Sequence, residues 1–205
     1  MSITIANDQR TRVAVLGTVA EFHEGAISFD MSNLLELVAS INPDLLCLDI
    51  TPQQWREREF DVLPPDYRDA LLPLARQTDI VVAPIGGEID WPAEVVAGWR
   101  IMVTCRLRSW ISAIQRRAPS PEALNRGWRH ELVNTLYYAT RRLTNSDRRG
   151  GARAHADYLT EQVLAVSQRD PGARLLVVVN VQYCHLIRER LRKHGEVMVT
   201  GLSEL

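Results

Sequence analysis

Apolar residues in this chain follow two patterns that alternate along it. Arg12 to Gly17 is a short apolar run rich in valine and closed by glycine, which predicts a buried strand rather than a helix. Between Asp30 and Asn42 the spacing changes. Leu34, Leu35, Leu37, Val38 and Ile41 recur at helical intervals behind a capping Asp30 or Ser32, and Asn42-Pro43 closes the segment. Leu45 to Ile50 is apolar everywhere except Asp49, as expected of a parallel strand covered on both faces. Strand, helix and strand predict a βαβ unit with a right-handed crossover. Pro64-Pro65-Asp66 opens a second helix reaching Gln77, and Ile80 to Pro84 forms a third strand leading into Gly86-Gly87.

From Trp91 to Gln168 no strand pattern occurs. The spacing predicts three helices there, over Pro92–Arg117, Pro121–Leu143 and Ala152–Ser167, the second opened by Ser120 as cap and Pro121 at the first helical position. Leu175 to Asn180 is then the clearest strand pattern of the chain, followed by a helix from Tyr183 to His194 and a short strand, Glu196 to Thr200. The expectation is a single α/β domain over residues 1–205. It consists of a mainly parallel sheet of about five strands flanked by helices, with a helical insertion between the third and fourth strands.

Composition narrows the partners. With 46% apolar and 24% charged residues over 205 positions, the chain has the profile of a protein that buries a sizeable core. Its 24 basic and 25 acidic residues give a net charge of −1, without the bias that nucleic acid or an anionic membrane would favour. Arg116-Arg117, Arg141-Arg142 and Arg148-Arg149 alternate with Trp, Leu and Ala at helical spacing and read as solvated helix faces. Nucleic acid and membrane are therefore not the expected partners. Cys47, Cys105 and Cys184 are too far apart for a zinc or redox pair. Neither a signal-peptide pattern nor an apolar run of about 18 residues is present. A cytoplasmic location is the expectation.

Ligands of open parallel sheets sit beyond the carboxyl ends of the strands. The residues just after the predicted strands include Glu21, His23, Glu24, Asp49, Glu88, Asp90, Asn180, Cys184 and His185. In this frame Leu16-Gly17-Thr18, then Asn42 to Asp49 (NPDLLCLD), then Val177 to His185 (VVVNVQYCH) follow in an order that resembles the TraB/PrgY and TIKI group, within a wider set that includes erythromycin esterases and ChaN-like proteins. The resemblance spans nearly the whole chain. It implies a hydrolytic or related acid-base reaction on a small molecule or peptide, with a divalent metal held by histidines and an acidic residue. His185 keeps the type of the second motif histidine, and Asp49 stands for the family's Glu. Ala20 occupies the place of the first histidine and Gln182 that of the second motif's glycine. His23, three residues beyond Ala20, completes a candidate metal set with Asp49 and His185. The family's helical arginine falls near Arg153.

Asp49 and His185 are thus the expected acid-base or ligand residues, with Glu21, Glu24, Cys184 and Arg153 in auxiliary catalytic roles. The departures at Ala20 and Gln182 leave open a catalytically inactive, ligand- or protein-binding relative of the same fold. ChaN-like analogy adds haem or metallocofactor binding as a third reading.

Other residues carry two readings each. Cys184 beside His185 has the neighbours of an activated thiol, whereas a small apolar core residue is the plainer reading. His155 shares a stripe with Leu159, Val163 and Val166 and is expected to be a satisfied core histidine, while His130 and His194 are expected at the surface. Arg153 and Asp157 are one turn apart, as in a surface ion pair. Arg106 lies in a stripe with Val95, Trp99, Met102, Val103 and Trp110, which predicts a buried, paired guanidinium. The aromatic helices between Trp91 and Leu143 fit either a core or a homodimer seam. Gly86-Gly87 and Gly150-Gly151 lack phosphate-loop spacing, and no GxSxG elbow occurs.

Overall fold

A computed structural model describes residues 10–18, 31–87, 98–118, 125, 127–144 and 151–205. The strands are β1 (Thr11–Thr18), β2 (Leu45–Leu48), β3 (Val81–Pro84), β4 (Arg174–Asn180) and β5 (Val197–Val199). They form one sheet in the order β3-β2-β4-β1-β5, and every pairing is parallel. The fold is α/β, as the alternating patterns predict. The order along the sheet has one consequence for the expected βαβ unit: β1 and β2 are not neighbours, because β4 lies between them.

Burial explains why β4 takes the centre. Leu175 to Val179 are fully buried on both faces, and no other strand offers five consecutive apolar side chains with so little to lose on being covered twice. Their alternation separates two cores. Ala14, Leu16, Leu46, Leu48, Leu176 and Val178 face one side, and Val13, Val15, Cys47, Val177 and Val179 face the other.

The first face is covered by α1 (Met31–Ile41), by a π-helical turn over Asp66–Leu71 that runs into α3 (Leu72–Gln77), and by parts of α4 (Trp99–Arg116) and α5 (Gly127–Thr144). The second is covered by α6 (Gly151–Arg169) and α7 (Val181–Leu191) through Ala156, Leu159, Val163, Tyr183, Cys184, Ile187 and Leu191. Each run down the sheet is parallel, so α6, which leads back into β4, begins at the carboxyl edge of the sheet, and so does α7. Functional side chains at the first turns of these helices therefore share that edge with the residues following β2 and β3.

Between β2 and the π-helical turn stands α2 (Pro52–Glu57). Thr51 caps it reciprocally: the Gln54 N–H donates to Thr51 Oγ1 at 3.1 Å, and the Thr51 N–H donates to Gln54 Oε1 at 3.0 Å. This box, with Pro52 at the first helical position, fixes the chain two residues after Asp49.

The helical insertion is present between β3 and β4, and α4 packs on α5. Its buried side is not the predicted one. Thr104 and Ile111 face the core, whereas Trp99, Met102, Arg106 and Trp110 are exposed. Arg106 is thus solvated, because the amphipathic stripe is rotated by about a third of a turn from the aromatic one. Trp128 and Tyr138 on α5 are exposed as well, so these aromatics do not build the core. Among the described residues, no helix is long and apolar enough to cross a membrane.

Candidate functional site

A polar cluster at the carboxyl edge of the sheet is built around Asp49, the first residue after β2. Backbone bonds draw the exits of β2 and β3 together: the Ile85 N–H donates to Leu48 O and the Gly86 N–H to Ile50 O, both at 2.9 Å. This approach is so close that a side chain at position 86 has no room. A Cβ there would lie 2.7 Å from the Ile50 carbonyl carbon and 2.9 Å from Asp49 Oδ1.

In the first turns of α6 stands His155. Its Nε2 lies 2.7 Å from Asp49 Oδ2, the two residues being 106 positions apart in sequence. The histidine side chain is 5% exposed and the aspartate 22%, so the imidazole is the inner support and the carboxylate the outward group. The Tyr183 ring meets His155 edge-on at 4.9 Å between centroids. Tyr67, from the π-helical turn, donates its hydroxyl to Val178 O at 2.7 Å. Burial pushes the Tyr67 phenol well above its ordinary range, and the charges of Asp49 and buried Asp66 push the same way, against the Asp49 N–H that faces it. It keeps its proton and ties the end of β4 to the backbone of Asp49.

The structure distributes the sequence-predicted site residues between several environments. Asp49 meets His155, a histidine expected to be an ordinary core residue. It is buried as expected, but its partner is a carboxylate on another element. His185 lies on α7 against different groups: Asn134 Nδ2 is 3.3 Å from its Nδ1 and 3.0 Å from His130 Nε2, so one amide bridges two imidazoles. His130, expected at the surface, is buried at 5% exposure because α5 turns it toward α7. Arg153 is exposed, and Asp157 pairs with Arg190 of α7 rather than with Arg153. The helix-helix approach places a cation across the groove, which outcompetes the neighbour one turn away. Glu21, His23, Glu24, Glu88 and Asp90 lie outside the described residues.

Cys184 is no partner of His185. Its thiol is buried against Asn125 Oδ1 at 3.2 Å, and burial raises its pKa to about 11, outweighing the nearby Arg188 charge. Cys47 is pushed to about 12 by burial, while Cys105 is exposed. A thiol-reactive disulfide reagent at pH 8 is therefore expected to titrate one fast thiol in the native chain and all three after denaturation. A second fast thiol, lost in Cys184→Ala, would restore the nucleophile reading.

Compared with protein-family models, curated proteins and solved structures, the chain matches none.

Asn125 organises the neighbouring wall. Its side chain accepts the Gly17 N–H at 2.6 Å and donates to Gly17 O at 3.0 Å, extending β1 as a strand neighbour would. Arg188 donates to Asn125 O at 2.9 Å and to Val15 O. Since β5 pairs only with Thr11 to Val13, Arg188 supplies the partner that the edge of β1 lacks beyond that point. Next to it opens a cavity of about 340 Å³, which neither Asp49 nor His155 lines.

His185 beside this cavity carries a pH signature. Burial lowers its pKa, opposed by Glu131 and Glu189 and reinforced by Arg190 and Arg188. A histidine whose folded pKa lies below its ordinary value near 6.5 favours unfolding as the pH falls. The unfolded chain then takes up the proton first, and the loss levels off below the folded pKa. His185→Gln is expected to flatten the decline of stability on acidification below pH 6.5, measured by urea unfolding; an unchanged slope would rule this out.

As for metal chemistry, no group of three or more His, Cys, Asp or Glu side chains able to hold an ion occurs among the described residues. His155 Nε2 is engaged by Asp49, and His185 by Asn134. His23, the third member of the expected set, lies outside the described residues, and the two described members each have the partner just named.

Proposed function

We propose that the chain is a diverged relative of the TraB/TIKI and erythromycin-esterase group that performs acid-base chemistry, hydrolytic or related, on a small molecule or peptide at the carboxyl ends of its strands. The observation that carries this reading is the 2.7 Å pair between Asp49 and His155 at that edge. Asp49 is the general base: it is the more exposed member, and it takes the proton from a water or a substrate O–H or N–H. His155 is a positioning residue. Its N–H fixes the carboxylate in one rotamer with one oxygen engaged, leaving the other for the reacting proton. Tyr67 and the capped α2 hold the backbone on either side of Asp49.

The test is turnover of panels of activated esters, amides and short peptides by the full chain and by Asp49→Asn. Turnover by the native chain that falls at least about 100-fold in Asp49→Asn supports the reading. Equal rates in both proteins, or none in either across the panels, would sink it. A second reading, a non-catalytic ligand-binding relative, is favoured by the separate cavity beside His185.

A further inference from the structure

We infer that the cavity between α5, α7 and the turn after β5 binds the oxyanion of a small metabolite, a phosphate or a carboxylate group. Its volume of about 340 Å³ suits such a ligand. The groups that face it are of one kind: His130, His185, Arg188 and Arg192 line it, with Glu204 the one carboxylate among its lining residues. One oxygen of that carboxylate is engaged, since Glu204 Oε2 accepts the Gly201 N–H at 3.0 Å.

Two acidic residues nearby are engaged elsewhere, and Glu131 of α5, near His185, does not line the cavity. Glu189 takes Lys193 at 3.0 Å, and Asp157 takes Arg190. Arg192 has no carboxylate partner among the described residues, and its guanidinium presents the planar fork that matches phosphate and carboxylate oxygens. Arg188 is held on Asn125 O and Val15 O, so its charge is fixed at the wall rather than free to swing.

Two further polar residues, Thr200 and His185, line it. Thr200 Oγ1 is buried and has no hydrogen-bond partner among the described residues, a state that native proteins rarely leave unanswered by a ligand or water. On His185, the Asn134 amide donates to Nδ1, which leaves the ring proton on Nε2 and makes that nitrogen a donor. Val15, Val199 and Leu202 complete the lining as an apolar floor for the rest of the molecule. Two guanidinium groups and an imidazole N–H against a single carboxylate favour an anion over a cation. The inference is independent of the acid-base reading at Asp49.

The experiment is calorimetric titration of the full chain with inorganic phosphate and, separately, with acetate, at matched ionic strength in sodium chloride. Saturable binding at one site is expected. Arg192→Ala and Thr200→Val should each weaken it about tenfold, which corresponds to about 1.4 kcal/mol. Arg190→Ala removes the same charge from the same helix outside the cavity and should leave affinity unchanged, as should Asp49→Asn. Circular dichroism melts verify that each variant is folded. Preference for phosphate or for acetate decides which group the site takes. The proposal is overturned if neither anion binds saturably, or if Arg190→Ala weakens binding as much as Arg192→Ala, which marks diffuse surface charge.

Discussion

Asp49→Ala is expected to destabilise the chain by about 2–3 kcal/mol, because it leaves the buried His155 Nε2 without its partner. For a chain of this length that is a fall in melting temperature of about 5–10 °C. Asp49→Asn should cost less, about 1 kcal/mol, since its amide oxygen still accepts from the imidazole while the charge is lost. The two variants therefore separate structure from chemistry. Both should lack turnover under the acid-base reading, although one keeps most of its stability. His155→Leu tests the other partner, and the double variant with Asp49→Ala closes a thermodynamic cycle. Removing both polar groups should be milder than the sum of the single changes, with a coupling of about 1–3 kcal/mol. A coupling below about 0.5 kcal/mol would mean that the two side chains do not meet as a pair.

The elements were legible from the chain because each strand is a run of apolar residues short enough for a strand and too uniform for a surface helix. Leu175 to Val179 could be read as doubly covered for that reason. The order of the strands could not be read, because hydrophobic runs say that a strand is buried and not which strand lies beside it. The site shows the same division. Asp49 was recognisable as the lone polar residue of an apolar run, and His155 as the polar member of a buried stripe. Pairing them required the fold, since helical spacing carries no information about a partner 106 residues away. A usable signal was nevertheless present: two isolated polar residues, each at the edge-proximal end of an apolar element, both demand a partner. The helix α2 is absent from the predicted elements, although Thr51-Pro52 followed by Gln54 carries the pattern of its cap. Arg106 and the exposed tryptophans show the limit in the other direction. An aromatic stripe and a core stripe lie close on the same helix, and composition favours the aromatic one while packing selects Thr104 and Ile111.

Gly86→Ala is expected to be among the most damaging single-methyl additions to this chain, at about 3 kcal/mol. The added carbon would lie 2.7 and 2.8 Å from the backbone C and N of Ile50, atoms that belong to a strand exit bonded to Gly86 itself. Backbone cannot rotate away as a side chain can, so the β2 and β3 exits must separate. Asp49 Oδ1, 2.9 Å from the same position, moves with them. Loss of stability and loss of the Asp49 geometry should therefore appear together. Gly87→Ala provides the comparison. There the new carbon meets the ring of Tyr158 at 2.7 Å, but that ring is partly exposed and can shift toward solvent, so about 1 kcal/mol is expected. At Gly195 nothing lies within 4 Å and the backbone is not left-handed, so alanine should fall within about 0.5 kcal/mol of the native residue. Urea unfolding of the three variants gives the ranking. If Gly86→Ala proved no worse than Gly87→Ala, the two strand exits would not be pressed together, and the rigid seat assigned to the Asp49 carboxylate would be lost with them.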